Sequence, residues 1–213
     1  MRIYEIYRSI QGESTYAGLP CTFIRTAGCS LRCTYCDTEY ALPRQSGSDR
    51  NLDDILAEAE RLGLDLVEIT GGEPLEQKET PELCARLIEK GAKVLIETGG
   101  AYRIDALPAE AVKILDIKTP GSGMAQRNDW ENLLRLSPQD EIKFVLTNRD
   151  DFAWAAKVCS ERGLYGAFTI LFSPAFDLLP PDQLAAWILA EKIPVRLHLQ
   201  QHKYIWGKDA RGV

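Results

Sequence analysis

The chain has 213 residues, enough for one domain with a full core, and its 45% hydrophobic and 26% charged content is that of an ordinary soluble globular protein. Twenty-five Lys and Arg against 31 Asp and Glu leave a net charge of −6, which argues against a basic nucleic-acid face, and no apolar run approaches the ~20 residues of a membrane span. The N-terminus lacks a signal peptide's apolar core and the six cysteines do not look like a disulfide framework in a chain this long, so the expected location is the cytoplasm.

Residues 2–8 alternate polar and apolar and predict an edge strand. A polar turn follows, Ser9-Ile10-Gln11-Gly12-Glu13-Ser14. The β-rich run Cys21 to Ala27 then enters Cys29-Ser30-Leu31-Arg32-Cys33-Thr34-Tyr35-Cys36 directly. The cysteine loop therefore sits at the C-terminal end of a strand, where α/β folds build their sites. After Asp37-Thr38-Glu39-Tyr40, the stretch Pro43 to Arg50 reads as a mobile flap. A helix carries Leu52, Ile55, Leu56, Ala59 and Leu62 on one face. Leu66 to Thr70 is a buried strand ending in Gly71-Gly72-Glu73-Pro74. Thr80 as N-cap and Pro81 as first helical residue start the next helix.

The alternation continues with a strand over 93–97 ending in Thr98-Gly99-Gly100, and a strand over 112–117 ending in Lys118 to Gly123. A helix with Trp130, Leu133 and Leu134 inward is expected next, then a strand over 142–146 and a helix from about Asp150. A strand over 168–172, a last helix from Pro181, a strand over 195–199 and a polar tail to Val213 close the series. Such alternation means βαβ units on a mostly parallel sheet. About six units fit residues 1–213 as a single domain. A closed eight-fold barrel takes ~250 residues, so a partial, splayed parallel β/α barrel is expected, with an open flavodoxin-like sheet as the alternative.

Three cysteines at C-x3-C-x2-C can ligate one compact inorganic centre from a single loop, but they leave a fourth corner open. The bland reading is a zinc knuckle that borrows His198 or His202. The spacing, with Tyr35 before the last cysteine, resembles the signature of the radical S-adenosylmethionine (SAM) superfamily. In that superfamily three cysteines hold a 4Fe–4S cluster and SAM chelates the fourth iron. Gly-Gly-Glu-Pro one strand later matches the motif that binds the SAM amino group there.

The resemblance narrows with Ser9 to Glu13, Phe23 to Cys29, Cys36-Asp37-Thr38, Glu97 to Gly100, Asp116 to Pro120 and Gln201-His202-Lys203, which look like the 7-carboxy-7-deazaguanine synthases of queuosine and deazapurine biosynthesis. It implies ring contraction of 6-carboxy-5,6,7,8-tetrahydropterin with loss of ammonia, driven by a cofactor-derived radical rather than by a catalytic side chain. The implied ligands are Cys29, Cys33 and Cys36 for the cluster and Thr38 for Mg²⁺. SAM is implied against Tyr35, Cys36, Asp37, Gly72, Glu73, Gly100, Asp116, Lys118 and Ser122. The pterin is implied against Ile10, Gln11, Gly12, Glu13, Arg25, Thr98, His202 and the Val213 carboxylate. A low-potential electron donor such as flavodoxin and a homodimer are implied as well.

Each role has a structural alternative. Arg25, a charge in an otherwise apolar strand, serves either as a clamp for the substrate carboxylate or as a buried ion-pair partner. Asp116 and Lys118 could simply pair, Gln11 and Glu13 could belong to a polar turn, Thr38 could cap its loop, and the tail could fray. Cys21, Cys84 and Cys159 read as packing residues. Competing functions are a glycyl-radical-enzyme activating enzyme, against which the Gln-Gly-Glu turn and the Gln-His-Lys tail argue, and a zinc-dependent structural module.

Overall fold

The computed structural model describes residues 1–213. Its strands are β1 (Arg2–Ile10), β2 (Pro20–Thr26), β3 (Ser48–Asp49), β4 (Leu66–Gly71), β5 (Lys93–Thr98), β6 (Val112–Asp116), β7 (Glu141–Leu146), β8 (Thr169–Pro174) and β9 (Arg196–Leu197). Its helices are α1 (Leu52–Leu62), α2 (Thr80–Glu89), α3 (Arg149–Glu161), α4 (Pro181–Glu191) and α5 (Gln201–Ile205). One sheet holds all nine strands in the order β3-β1-β2-β4-β5-β6-β7-β8-β9. β1 pairs antiparallel with β2 and β3, and every pair from β2 to β9 is parallel. β3 and β9 remain as edges, so the sheet is the open, partial barrel expected. No helix is long and apolar enough to cross a membrane.

Seven parallel strands require six crossovers, the number read from the sequence, but only four run through an α-helix. The connections from β5 to β6 and from β6 to β7 are loops, the second with 3₁₀ turns. The helix expected around Trp130 is one of these turns, Trp130–Arg135, and Leu134 is 82% exposed. Buried Asn132 pins the segment instead: its carbonyl accepts Ile104 N and its amide donates to Tyr102 O at 2.8 Å.

Four other boundaries differ from expectation. β1 runs to Ile10, and its first residues are not at the edge, because Arg2 and Ile3 pair with Asp49 and Ser48. The supposed flap is therefore tacked to the sheet, and the Met1 ammonium donates to Arg50 O at 2.7 Å. Thr80 is the first residue of α2 rather than its cap, since its hydroxyl donates to Pro74 O at 2.6 Å. The closing strand is reduced to two residues, and α5 follows it where a plain tail was expected.

Strand alternation divides the sheet into two faces. Ile24, Ile69, Ile96, Leu115 and Phe144 face outward into the main core with Leu56 of α1, Leu83 and Cys84 of α2, Phe152 and Cys159 of α3 and Leu184 of α4. The opposite, concave face begins as an apolar plug of Cys21, Phe23, Leu66, Leu95, Val112 and Ile114. One alternation further on, the same strands carry Arg25, Thr70, Glu97 and Asp116, with Glu68 of β4 and Lys143 of β7 beside them. The change from apolar to polar along one face marks where the core ends and the cavity begins.

Asp151, 1% exposed at the start of α3, connects this frame to the cysteine loop. It accepts Gly121 N at 2.7 Å, Thr147 N at 2.9 Å and the Thr147 hydroxyl at 2.7 Å. Gly121 and Ser122 in turn present their carbonyls to the Thr34 hydroxyl and amide at 2.7 and 3.1 Å. Replacing Asp151 with Ala strands buried donors, and urea denaturation should show a loss of about 2–4 kcal/mol. A change within experimental error would contradict the assigned role.

Candidate active site

A cavity of about 670 Å³ opens at the C-terminal ends of the parallel strands. Of the cluster, Mg²⁺, SAM and pterin ligands that the resemblance implies, all line it except Gly100 and Ser122. Gly100, at φ 72°, turns the chain so that its carbonyl accepts Asp129 N at 2.8 Å. Ser122 is fully buried and supports the cysteine loop through its carbonyl.

Cys29, Cys33 and Cys36 are free and half-buried along one wall of the cavity. Burial pushes the Cys29 thiol up to about 11 and raises Cys33 and Cys36, so these groups ionise when a cation binds them. No three His, Cys, Asp or Glu side chains converge on one metal-ion position. A closed zinc site gathers its ligands on one ion, whereas an iron–sulfur cube spreads its anchoring thiolates over separate irons.

The Gly-Gly-Glu-Pro turn is interlocked with this loop. Glu73 N donates to Gly28 O at 2.8 Å, and a Cβ on Gly72 would run into that same carbonyl. Gly71 sits at φ 127° with no room for a side chain against Thr26. These glycines therefore serve the close approach of two loops. The buried Glu73 carboxylate accepts Leu75 N at 3.0 Å, the Thr98 hydroxyl at 2.8 Å and Gly99 N at 2.8 Å. Thr98 is thus committed to orienting Glu73. Beyond it, Lys118 pairs with Asp116 at 2.7 Å. The other oxygen of Asp116 and the Tyr35 hydroxyl are buried without a partner, an acceptor and a donor left open in the cavity wall.

At the far end, Arg25 donates from Nε to Glu5 and from Nη2 to the Tyr7 hydroxyl, both at 2.8 Å. Its guanidinium lies 5.9 Å from the centroids of both the Tyr7 and Tyr40 rings. Arg25 is thus an ion-pair partner that also lines the cavity, with its Nη1 not engaged in a hydrogen bond.

The floor between these ends holds residues the sequence reading did not assign. Lys143 is paired with Glu13 and, at 2.6 Å, with Glu97. Burial opposes the charges, but Lys143 outweighs it at Glu13 and holds that carboxyl well below the usual range. At Glu97 burial prevails and the carboxyl is raised. Glu68 is pushed well up by burial and by Glu97 and Glu13. Gln11 is 1% exposed, and its amide donates to Glu68 and accepts Glu13 N at 2.9 Å. Its side chain supports the turn at the cavity wall. Glu68, Glu97 and Lys143 carry the same signal as Arg25, a lone charge inside an apolar strand.

The last segment closes over the mouth. Asp37 takes Lys203 Nζ at 2.6 Å, Gln200 Nε2 at 3.0 Å and the Thr38 hydroxyl at 2.9 Å. Burial would raise Asp37, but Lys203 draws it down to about 2. Thr38 thus bonds a carboxylate and not its loop backbone. His202 packs on Gly12, Lys208 pairs with Asp177 at 2.5 Å, and Arg211 lies 4.3 Å over the Tyr40 ring. Val213 lines the cavity.

The family model described as Radical SAM superfamily matches residues 23–117. The 7-carboxy-7-deazaguanine synthase of Koribacter versatilis is 43% identical over 228 residues, covering 100% of both chains. That of Chlorobaculum tepidum is 42% identical over 216 residues, covering 100% of this chain and 97% of its own.

This chain belongs to the 7-carboxy-7-deazaguanine synthase family.

QueE from Escherichia coli superposes with a TM-score of 0.74 over 94% of both chains at 22% identity, which shows the shared fold. Membership in this family makes the chain a radical SAM enzyme, with the 4Fe–4S cluster and SAM that the superfamily implies. It disfavours the glycyl-radical activating enzyme and the zinc module.

In this synthase-family chain Lys143, 5% exposed, is the single cation between two carboxylates. Replacing it with Met should cost about 3–5 kcal/mol at pH 7, because both carboxylates remain buried and unpaired. As pH falls they protonate and the deficit should shrink, which urea denaturation at pH 7 and pH 5 would reveal. An equal or larger deficit at pH 5 would contradict this account.

Proposed function

We propose that the chain contracts the ring of 6-carboxy-5,6,7,8-tetrahydropterin to 7-carboxy-7-deazaguanine with release of ammonia. The observation that carries the reading is one cavity with three free thiols on one wall, the free Nη1 of Arg25 at the far end and an acidic floor between them. Cys29, Cys33 and Cys36 would hold the 4Fe–4S cluster, with its fourth iron left for SAM. Glu73, Tyr35 and Asp116 offer SAM a carboxylate, a hydroxyl and an unpartnered acceptor. Together these groups supply radical chemistry that no side chain performs.

The protein's own part is binding, orientation and exclusion of water. Arg25 receives the substrate carboxylate on its free edge, a charge-assisted contact suited to guanidinium geometry. The Gly12–Glu13 backbone and the acidic floor face the donor-rich amino-pyrimidine. Thr38 and its neighbour Asp37 form an oxygen pair of the kind a hard cation accepts, and we assign Mg²⁺ to it. His202 and the Val213 carboxylate close the pterin from the mouth, and the tail keeps water from the reacting atoms. A low-potential donor such as flavodoxin, a homodimer and a cytoplasmic setting complete the reading. Sedimentation at the 23.8 kDa of one chain would remove the dimer.

Anaerobic incubation with SAM, a reductant and the pterin should yield 7-carboxy-7-deazaguanine by mass spectrometry. Ala at Cys29, Cys33 or Cys36 should abolish SAM cleavage, while Ala at buried Cys21, Cys84 or Cys159 should leave iron content unchanged. Turnover should fall on chelation and return with Mg²⁺, a response that Thr38→Ala loses. Residues appended after Val213 should weaken pterin binding. Absence of the deazaguanine product from a cluster-loaded, SAM-cleaving preparation would overturn the reading.

A further inference from the structure

The turn bearing Gln11, Gly12 and Glu13 is held from the other end of the chain. Ser14 follows it at φ 61°, a left-handed conformation that costs an ordinary side chain on the order of 1–2 kcal/mol. Its N–H is buried and donates to Nε2 of His198 at 2.7 Å, across 184 positions of sequence. A ring nitrogen that accepts a hydrogen bond carries no proton, so neutral His198 holds its single proton on Nδ1. His198 is 5% exposed, and Nδ1 is buried without a partner.

The charged and titratable groups around the ring are Glu13 from the turn, Lys143 from β7, Asp116 from β6 and His202 from α5. Glu13 is paired with Lys143, and Asp116 with Lys118. Burial dominates the ring, and its pKa falls to about 4 despite the Glu13 carboxylate. A protonated Nε2 would face the Ser14 donor with a second donor, so the contact exists only with neutral imidazole.

The flanking contacts run to the same region. Gln201 N donates to Gly12 O at 2.9 Å, and Gln200 Nε2 donates to Glu13 at 2.9 Å. Thr15 N donates to Glu141 of β7 at 3.1 Å. Ser14 is the one non-glycine residue of the β1–β2 connection at positive φ, and His198 is the side chain that accepts its amide.

We propose that His198 is a positioning residue for substrate recognition: as neutral imidazole protonated on Nδ1, it locks Ser14 and thereby sets the Gly12–Glu13 backbone against the substrate. This rests on the reading above that the turn faces a pterin.

The test uses the cluster-loaded protein. Pterin affinity is measured by calorimetry for the native chain, His198→Leu, which cannot accept, and His198→Gln, whose side-chain carbonyl can. The Leu variant should bind pterin about tenfold or more weakly, as expected when a buried donor loses its partner, with iron content and SAM affinity unchanged. The Gln variant should recover most of the loss. Nitrogen-15 spectra of native His198 should show the Nδ1–H tautomer, still neutral at pH 5. Native pterin affinity in the Leu variant, a proton on Nε2, or titration of His198 near 6.5 would each overturn the proposal. If the Leu variant does not fold, the Gln variant and the native spectra still decide it. Failure of the native chain to bind pterin would instead defeat the substrate reading, while the spectra would report separately on the imidazole.

Discussion

The buried ammonium of Lys143 is the contact on which the site depends. Its partners lie at opposite ends of the N-terminal half of the chain, Glu13 in the first turn and Glu97 at the end of β5. A charge of either sign left alone in this setting would cost several kcal/mol, so the three groups are stable only when assembled together. The turn after β1 is consequently part of the same cooperative structure as the central parallel strands. Glu68, whose carboxyl is raised by burial and by its acidic neighbours, extends the arrangement by accepting the Gln11 amide.

From that floor the cavity acquires a direction. Arg25 supplies the free cationic edge at one end, carboxyl groups line the middle, and thiols form the wall toward the Gly-Gly-Glu-Pro turn. The thiol loop and the Gly28 that leads into it are held by backbone hydrogen bonds to Leu42, Glu73 and Ser122, the last supported through Gly121 by Asp151 at the start of α3. Helix packing thus fixes the place where a cluster would be held. Gln200 bridges Glu13 and Asp37, so the turn after β1, the loop after Cys36 and the closing segment share one side chain.

Much of this was legible because it is local. Period-two and period-3.6 apolar patterns revealed the strands and helices, and the cysteine spacing and Gly-Gly-Glu-Pro marked the C-terminal ends of β2 and β4. Elements held by distant partners were harder to read. The segment around Trp130 has a helical pattern, but Asn132 hydrogen bonds hold it as a 3₁₀ turn. The Pro43–Arg50 stretch has loop composition, yet its final residues complete the sheet edge beside β1. Glu68, Glu97 and Lys143 were visible as charges within apolar strands, but their pairing joins positions up to 130 residues apart, and no local periodicity encodes that.

The central claim is that the cavity's polarity orients a carboxylated pterin with its acid on Arg25. Binding of 6-carboxytetrahydropterin and of the same pterin lacking the carboxyl group should be compared in the native protein and in Arg25→Gln. The account predicts that the native protein prefers the carboxylated ligand by about tenfold or more, roughly 1.4 kcal/mol, and that Arg25→Gln removes most of this preference. A variant that keeps the native discrimination would show that the carboxylate is read elsewhere and would contradict the account.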